Sequence, residues 1–196
     1  MSEKTLLHLI FVVSFTAFTA IRMYYHRLAY KTAGRVEFKE GRLNALLRLS
    51  FGLPYIVLLF VYMFNPRILA WADFQLPVWA QWTGAVLCLS VLPLIYWIQR
   101  SLGSNFSTTL HIREEHTLVT FGPYRWVRHP MYTVFFIQAV GILLLTANWF
   151  IGGIYLLGLT LVVVSRTRNE EAAMIEKFGN DYQTYMARTG RFLPKF

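Results

Sequence analysis

Five apolar stretches, each close to the length needed to cross a lipid bilayer, take up about half of the 196-residue chain. They cover residues 6–25, 43–64, 78–98, 131–147 and 149–165. A helix needs roughly 20 mostly apolar residues to span the hydrocarbon, and there it must satisfy its own backbone. The expected fold is therefore all-α: a polytopic membrane protein with five transmembrane helices. The fourth and fifth stretches are short and separated only by Asn148. That spacing predicts a tight helical hairpin, with one bent re-entrant element as the alternative. Pro54 and Pro93 are expected to kink their helices. The first stretch contains His8 and ends around Arg22. The second contains Arg48, an intramembrane charge expected to face protein or to snorkel.

Composition closes off the other classes. The chain is 56% hydrophobic and only 15% charged, where a soluble domain carries about 25% charged residues. A soluble globule and a disordered chain are both excluded. The net charge of +9 and pI near 9.9 would suit a nucleic-acid partner. However, the basic residues sit between apolar runs instead of forming one basic face. The single cysteine, Cys88, rules out an internal disulfide or a Cys-rich zinc site. Sixteen Phe, eleven Tyr and six Trp fit a chain with much surface at a membrane boundary.

Charge placement sets the expected orientation. Arg27, Lys31, Arg35, Lys39 and Arg42 lie between the first two stretches, and Arg100, Arg113, Arg125 and Arg128 between the third and fourth. Arg166, Arg168, Lys177, Arg188, Arg191 and Lys195 follow the fifth. The opposite side holds only Lys4 and Arg67. This asymmetry predicts the N-terminus outside and the C-terminus cytoplasmic. It also speaks against the first stretch being a cleaved signal, because cleavage would break the alternation. The outer connections are short, and the inner segments 99–130 and 166–196 are long enough to hold chemistry. The chain divides into three N-terminal spans (1–98) and a part carrying the candidate chemistry (99–196), within one domain (1–196). From Arg166 to about Ala187 the tail reads as a helix continuing the fifth span, interrupted near Gly179.

The chemistry-bearing residues lie in those inner segments. Arg128-His-Pro130 opens the fourth span, and Pro130 suits a first helical turn. A helix N-terminus there offers unpaired N–H groups to a carboxylate or phosphate. The plainer alternative is an interfacial helix start near lipid head groups. Arg166 and Glu170 are four apart and share a helix face. They read either as a surface ion pair or as a carboxylate awaiting a cationic ligand group. His111 and His116 are five apart, about 140° around a helix, where helical zinc motifs need four. No metal is expected. Neither a glycine-rich dinucleotide signature nor a Gly-x-Ser-x-Gly elbow is present.

Taken in order, the second half of the chain resembles the isoprenylcysteine carboxyl methyltransferases and their prokaryotic relatives. The motifs are Gly-Ser-Asn-Phe at 103–106, His-Thr-Leu-Val at 116–119, Tyr124, Arg-His-Pro-Met-Tyr at 128–132, Arg166 and Glu170-Glu171. Phe178-Gly179, Tyr182, Tyr185 and Thr189-Gly-Arg-Phe-Leu-Pro194 complete them. The resemblance implies an integral-membrane methyltransferase using S-adenosyl-L-methionine and releasing S-adenosyl-L-homocysteine. It implies cofactor contacts at His111, His116, Thr117, Leu118, Val119, Tyr124, His129, Pro130, Met131, Tyr132 and Glu170. His111 matches only across a two-residue gap. Arg166 falls on the arginine implicated in holding the substrate's reacting group, which makes it the catalytic candidate. Val134 departs from the family, which often has Gly two places after the motif Tyr.

The implied cofactor region is cytoplasmic, formed by the loop between spans three and four with the C-terminal helix. The implied partner is a lipophilic or lipidated substrate entering from the bilayer, most simply the carboxylate of an isoprenylcysteine-like acceptor. The expected location is a prokaryotic cell membrane, or the endoplasmic reticulum in a eukaryote. Phospholipid N-methyltransferases share part of the tail pattern and are the first alternative. A transporter or channel subunit, or a nicotinamide-dependent sterol-type reductase, are further ones.

Overall fold

A computed structural model describes residues 2–32, 46, 48–103 and 117–195, without the side chains of 30–32 and 48. Those residues form an all-α bundle. Helix α1 is Glu3–Thr32. A π-helical turn, Arg48–Gly52, runs into α2, Leu53–Phe64. A 3-10 turn, Pro66–Ala72, leads to α3, Val78–Leu102. A second 3-10 turn, Gly122–Arg125, precedes α4, Pro130–Thr146. Helix α5 is Trp149–Phe178 and α6 is Asn180–Arg188.

Among the described residues, α1, α3 and α5 are long and apolar enough to cross a membrane. The α2 segment and the Pro66–Ala72 turn pass the same test only together, bent by 112°. Helix α4 has 17 residues, about 25 Å at 1.5 Å per residue, and falls short of a full hydrocarbon thickness. The surface is that of a protein facing lipid, with Trp79 (71%), Val164 (67%) and Val86 (63%) among its large exposed apolar side chains.

The two prolines behave differently. Pro93 sits inside a continuous α3. Pro54 lies in the first turn of α2, where its missing N–H is an orphan anyway. The helical path begins earlier, in the π-turn directly before it. Arg48 begins the π-turn that precedes it.

Packing is tightest between α3 and α4. A Cβ on Gly84 would stand 2.4 Å from the Leu145 backbone nitrogen and 2.7 Å from the Gly141 carbonyl oxygen. A Cβ on Gly141 would stand 2.9 Å from Cys88 Sγ. Small residues at matched heights bring the two backbones together, the usual way apolar helices associate within lipid. Helix α1 lies on α3, and α5 lies on α4. Leu7, Phe11, Leu59, Ile142, Leu145 and Ile151 fill the interior toward the α4–α5 turn. Phe18, Val91, Ile95, Ile98, Val119, Tyr124 and Val134 fill it toward the start of α4. Val134, the departure from the family pattern, is thus a buried packing residue.

The α4–α5 connection is the tight turn that the single intervening Asn predicts. Ala147 adopts a left-handed conformation (φ 47°). Fully buried Asn148 caps α5, its Oδ1 accepting from the Ile151 N–H at 3.1 Å. Its Nδ2 donates to the Leu69 carbonyl at 2.8 Å and Asp73 Oδ1 at 2.7 Å. The hairpin tip is thereby fastened to the connection between α2 and α3.

Helix α5 runs unbroken past the apolar stretch, and Gly179 (φ 53°) ends it as the sequence suggests. After α6 the chain turns back onto the segment before α4. The Arg128 N–H donates to the Gly190 carbonyl at 2.9 Å, the His129 N–H to the Arg191 carbonyl at 3.0 Å, and the Gly190 N–H to the Trp126 carbonyl at 3.2 Å. The Tyr185 hydroxyl donates to the Tyr124 carbonyl at 2.6 Å. This return strap positions the start of α4.

Gly84→Ala drives a methyl group into α4 backbone that cannot rotate away. The expected loss is about 1–3 kcal/mol, read as a lower melting temperature of the detergent-solubilised protein. A melting temperature equal to wild type contradicts the close crossing.

Candidate active site at the mouth of helix four

The site begins with two adjacent carboxylates on α5. Glu170 and Glu171 project about 100° apart around the helix, and each meets different partners. The Glu170 Oε1 accepts from Arg166 Nε at 2.8 Å and from the Tyr132 hydroxyl at 2.9 Å. Its Oε2 lies 3.5 Å from His129 Nδ1. Glu171 is more deeply buried, with 6% of its side chain exposed. It accepts from Arg128 Nε at 3.0 Å and from Arg191 Nε at 3.2 Å, and a further Arg191 guanidinium nitrogen also donates to it. His129 Nε2 lies 3.3 Å from the same carboxylate.

These contacts do two different jobs. Glu171 with Arg128 and Arg191 joins α5, the N-terminal end of α4 and the return strap. Arg128 also donates to the Met186 carbonyl at 3.1 Å and to the Thr189 carbonyl. Its donors are thus committed to structure. Glu170 instead faces a hollow of about 190 Å³. Arg22, Tyr124, Arg128, His129, Pro130, Met131, Tyr132, Phe135, Arg166 and Glu170 line it.

His129 caps α4 between the two carboxylates. Burial pushes its pKa below the ordinary histidine value, against the opposite pull of Glu170 and Glu171. The ring lies 5.7 Å from the Tyr132 ring and 5.9 Å from the Phe192 ring of the strap. The Thr133 hydroxyl donates to the Phe192 carbonyl at 2.7 Å, which fastens the strap there to α4. Burial raises the Tyr124 phenol well above its usual range, so Tyr124 stays a neutral aromatic wall.

Seven of the residues predicted from the sequence meet at this hollow: Tyr124, His129, Pro130, Met131, Tyr132, Arg166 and Glu170. Thr117, Leu118 and Val119 lie in a segment without regular secondary structure that does not line it. Thr117 is exposed, Leu118 half-buried, and Val119 packs in the core beside Tyr124. His111 and His116 lie outside the described residues. Reading the sequence did not assign Arg22, Phe135 or Phe192 to a site. Arg22 carried a signal, an arginine inside an apolar run. The two phenylalanines carried none, being two among sixteen.

The hollow is smaller than the roughly 300–1,000 Å³ of sites enclosing whole drug-sized ligands. Its groups suit the charged end of a ligand. They comprise a carboxylate, three guanidinium groups and aromatic rings, with the positive end of α4 beside them.

Comparison with known proteins begins with a match over much of this segment. Residues 84–176 match the isoprenylcysteine carboxyl methyltransferase (ICMT) family. That stretch holds α4, Arg166 and both carboxylates. The protein-S-isoprenylcysteine O-methyltransferase of Mus musculus is 31% identical over 126 residues, 63% of this chain and 44% of the mouse protein. The chain thus spans less than half the length of the curated eukaryotic relative it matches. An uncharacterized Bacillus subtilis protein, YpbQ, is 27% identical over 147 residues, covering 74% of this chain and 82% of that protein. The structure of a eukaryotic intramembrane Ras methyltransferase, ICMT, superimposes with a TM-score of 0.54 at 24% identity. The superposition covers 76% of this chain and 51% of that one, and it bears on the fold.

Removing Glu171 would strand the guanidinium of Arg128, which is only 9% exposed. Glu171→Ala is expected to cost on the order of 3 kcal/mol or more, seen as a large drop in melting temperature. Glu170→Ala is expected to cost much less. Equal losses would mean that the two carboxylates do not divide the work.

Proposed function

We propose that this chain is an integral-membrane, S-adenosylmethionine-dependent methyltransferase acting on the carboxylate of a lipophilic, isoprenylcysteine-like acceptor. The observation that carries this reading is the gathering of Arg166, Glu170, His129 and Tyr132 around one hollow. All four fall in the segment that matches the methyltransferase family.

The residues present fit the charged end of the cofactor. Glu170 suits its amino group, and the positive end of α4 at Pro130 and Met131 suits its carboxylate. The Tyr132 and Tyr124 rings suit a cationic sulfonium. When bound, S-adenosylmethionine supplies a methyl group activated by that positive sulfur and leaves as S-adenosylhomocysteine. The rest falls to the protein. An acceptor carboxylate is already ionised near pH 7, so no side chain has to remove a proton. His129, at the N-cap position of α4, is then a wall of the site and not a base. Arg166 offers a planar fork that suits a carboxylate by parallel hydrogen bonds. Glu170 anchors that arginine from one side, which limits its rotamers and fixes the direction of its fork. Apolar surroundings strengthen the charge pairing, and alignment of the two reactants supplies much of the rate.

The lipid tail of the acceptor remains in the bilayer while its head reaches the site between helices. In this reading α1, the bent α2 pair, α3, α4 and α5 are five spans. The mouth of α4 and the far end of α5 then face the cytoplasm, with the N-terminus outside. The basic residues flanking the site support this orientation. A phospholipid amine as acceptor would sit badly beside the guanidinium groups. Transport and nicotinamide-dependent reduction are separable from methyl transfer by which nucleotide stabilises the purified protein.

Arg166→Ala is expected to lower methyl transfer to an S-prenylated cysteine at least 100-fold. S-adenosylhomocysteine affinity should stay within a few-fold of wild type by calorimetry. Glu170→Ala should weaken that affinity about tenfold or more. Full turnover by Arg166→Ala would remove the assigned role. Separately, a reporter fused after Phe196 should be shielded in sealed cells, and cleavage by external protease would reverse the topology.

A further inference from the structure

Arg22 enters the hollow from α1, outside the segment that matches the family. Its guanidinium lies 4.6 Å from the centroid of the Phe135 ring, and Nη1 donates to Met131 Sδ at 3.6 Å. Both are soft contacts to uncharged groups. Among the described residues, no carboxylate lies within ion-pair distance of Arg22.

The charge count within the hollow is lopsided. Among the described residues, Arg22 and Arg166 line it together with one carboxylate, Glu170, which binds Arg166. Arg128 is spent on Glu171 and on backbone carbonyls. A half-buried guanidinium in an otherwise apolar helix without an anionic partner is expensive. In a membrane-spanning segment such a charge marks a ligand path.

Position indicates which anion. Arg22 sits over Met131 and Phe135, whereas the N-terminal end of α4 lies at Pro130. Phe135 is about 7.5 Å farther along the axis than Pro130. Arg22 therefore reaches from the helix mouth, at Met131, to the second turn, at Phe135, and in the five-span reading that turn is the side where a head group on a membrane-anchored tail would arrive.

We propose that Arg22 binds the carboxylate of the lipophilic acceptor together with Arg166, so that the site selects an anionic acceptor over an amine. This rests on the carboxyl-methyltransfer reading above. Arg166 belongs to the family segment and Arg22 does not, so acceptor choice is divided between the two halves of the chain. Its planar fork also makes arginine poorly replaceable by lysine here.

The test uses the full-length protein in lipid nanodiscs saturated with S-adenosylhomocysteine, where no turnover occurs. An S-prenylated cysteine with a free carboxylate and its carboxamide are titrated separately into wild type, R22Q and R22K, and stabilisation is read by thermal shift. Wild type is expected to bind the acid at least tenfold more tightly than the amide. R22Q should reduce that ratio below threefold, and R22K should lower it at least twofold. The dissociation constant of S-adenosylhomocysteine, measured by calorimetry, should stay within twofold of wild type in both variants. The ratio is internal to each variant and so is independent of the folded fraction. If R22Q does not melt cooperatively, R22K decides by the same ratio.

An unchanged ratio overturns the assignment. So does a loss confined to S-adenosylhomocysteine binding, which gives Arg22 to the cofactor's carboxylate. A separate turnover assay distinguishes failure of the underlying reading. Wild type that binds S-adenosylhomocysteine but methylates no prenylated cysteine overturns carboxyl methyltransfer itself. Wild type that methylates it, with an unchanged acid-to-amide ratio in R22Q, overturns only the role of Arg22.

Discussion

Two consecutive glutamates on one helix, pointing to different neighbours, hold this site in shape. Glu171 is nearly buried and binds arginines from two other parts of the chain. Buried charge of this kind is tolerable only when paired, and an unpaired partner would be costly. The start of α4 and the return strap are therefore locked to α5. Once that clasp is set, Glu170 has little choice of direction and meets Arg166, Tyr132 and His129. One carboxylate secures the scaffold, and the other faces the hollow.

The membrane sets the remaining terms. Apolar helices gain little by hiding from lipid, so close backbone contact must hold them together. Gly84 and Gly141 supply it between α3 and α4, and Asn148 fastens the far end of the α4–α5 hairpin. Rigid attachment at that end fixes the height and direction of α4. Its N-terminal mouth then lies beside the polar end of α5. The hollow is lined by charged and apolar side chains together.

Much of this was legible in the residues. The apolar runs, the lone Asn148 between two of them and Gly179 after Phe178 marked helices and their ends through length, capping and turn chemistry. The spacing of Arg166 and Glu170 put them on one face, and Pro130 marked a helix start. Other parts were not legible. Pro54 reads equally as a kink or a first-turn residue, because both use the same fixed φ and missing N–H. Glu171 was visible only as a neighbour of Glu170. Its partners Arg128 and Arg191 lie 43 and 20 residues away, and nothing local encodes that pairing. Phe192 gave no signal, since an aromatic ring near a chain end looks the same whether it covers a site or meets lipid.

The sequence alone determined the class of molecule and the ingredients of its chemistry. Hydropathy fixes which segments leave water, and short-range spacing fixes which residues share a helix face; both are local properties. Tertiary structure decided which of nineteen basic residues reach the hollow, and that Arg22 is one of them. That choice depends on the rotation of α1 against α4, set by the packing of Phe18, Val91 and Phe135. Helix rotation is a collective outcome of long-range contacts, which no stretch of the chain specifies by itself.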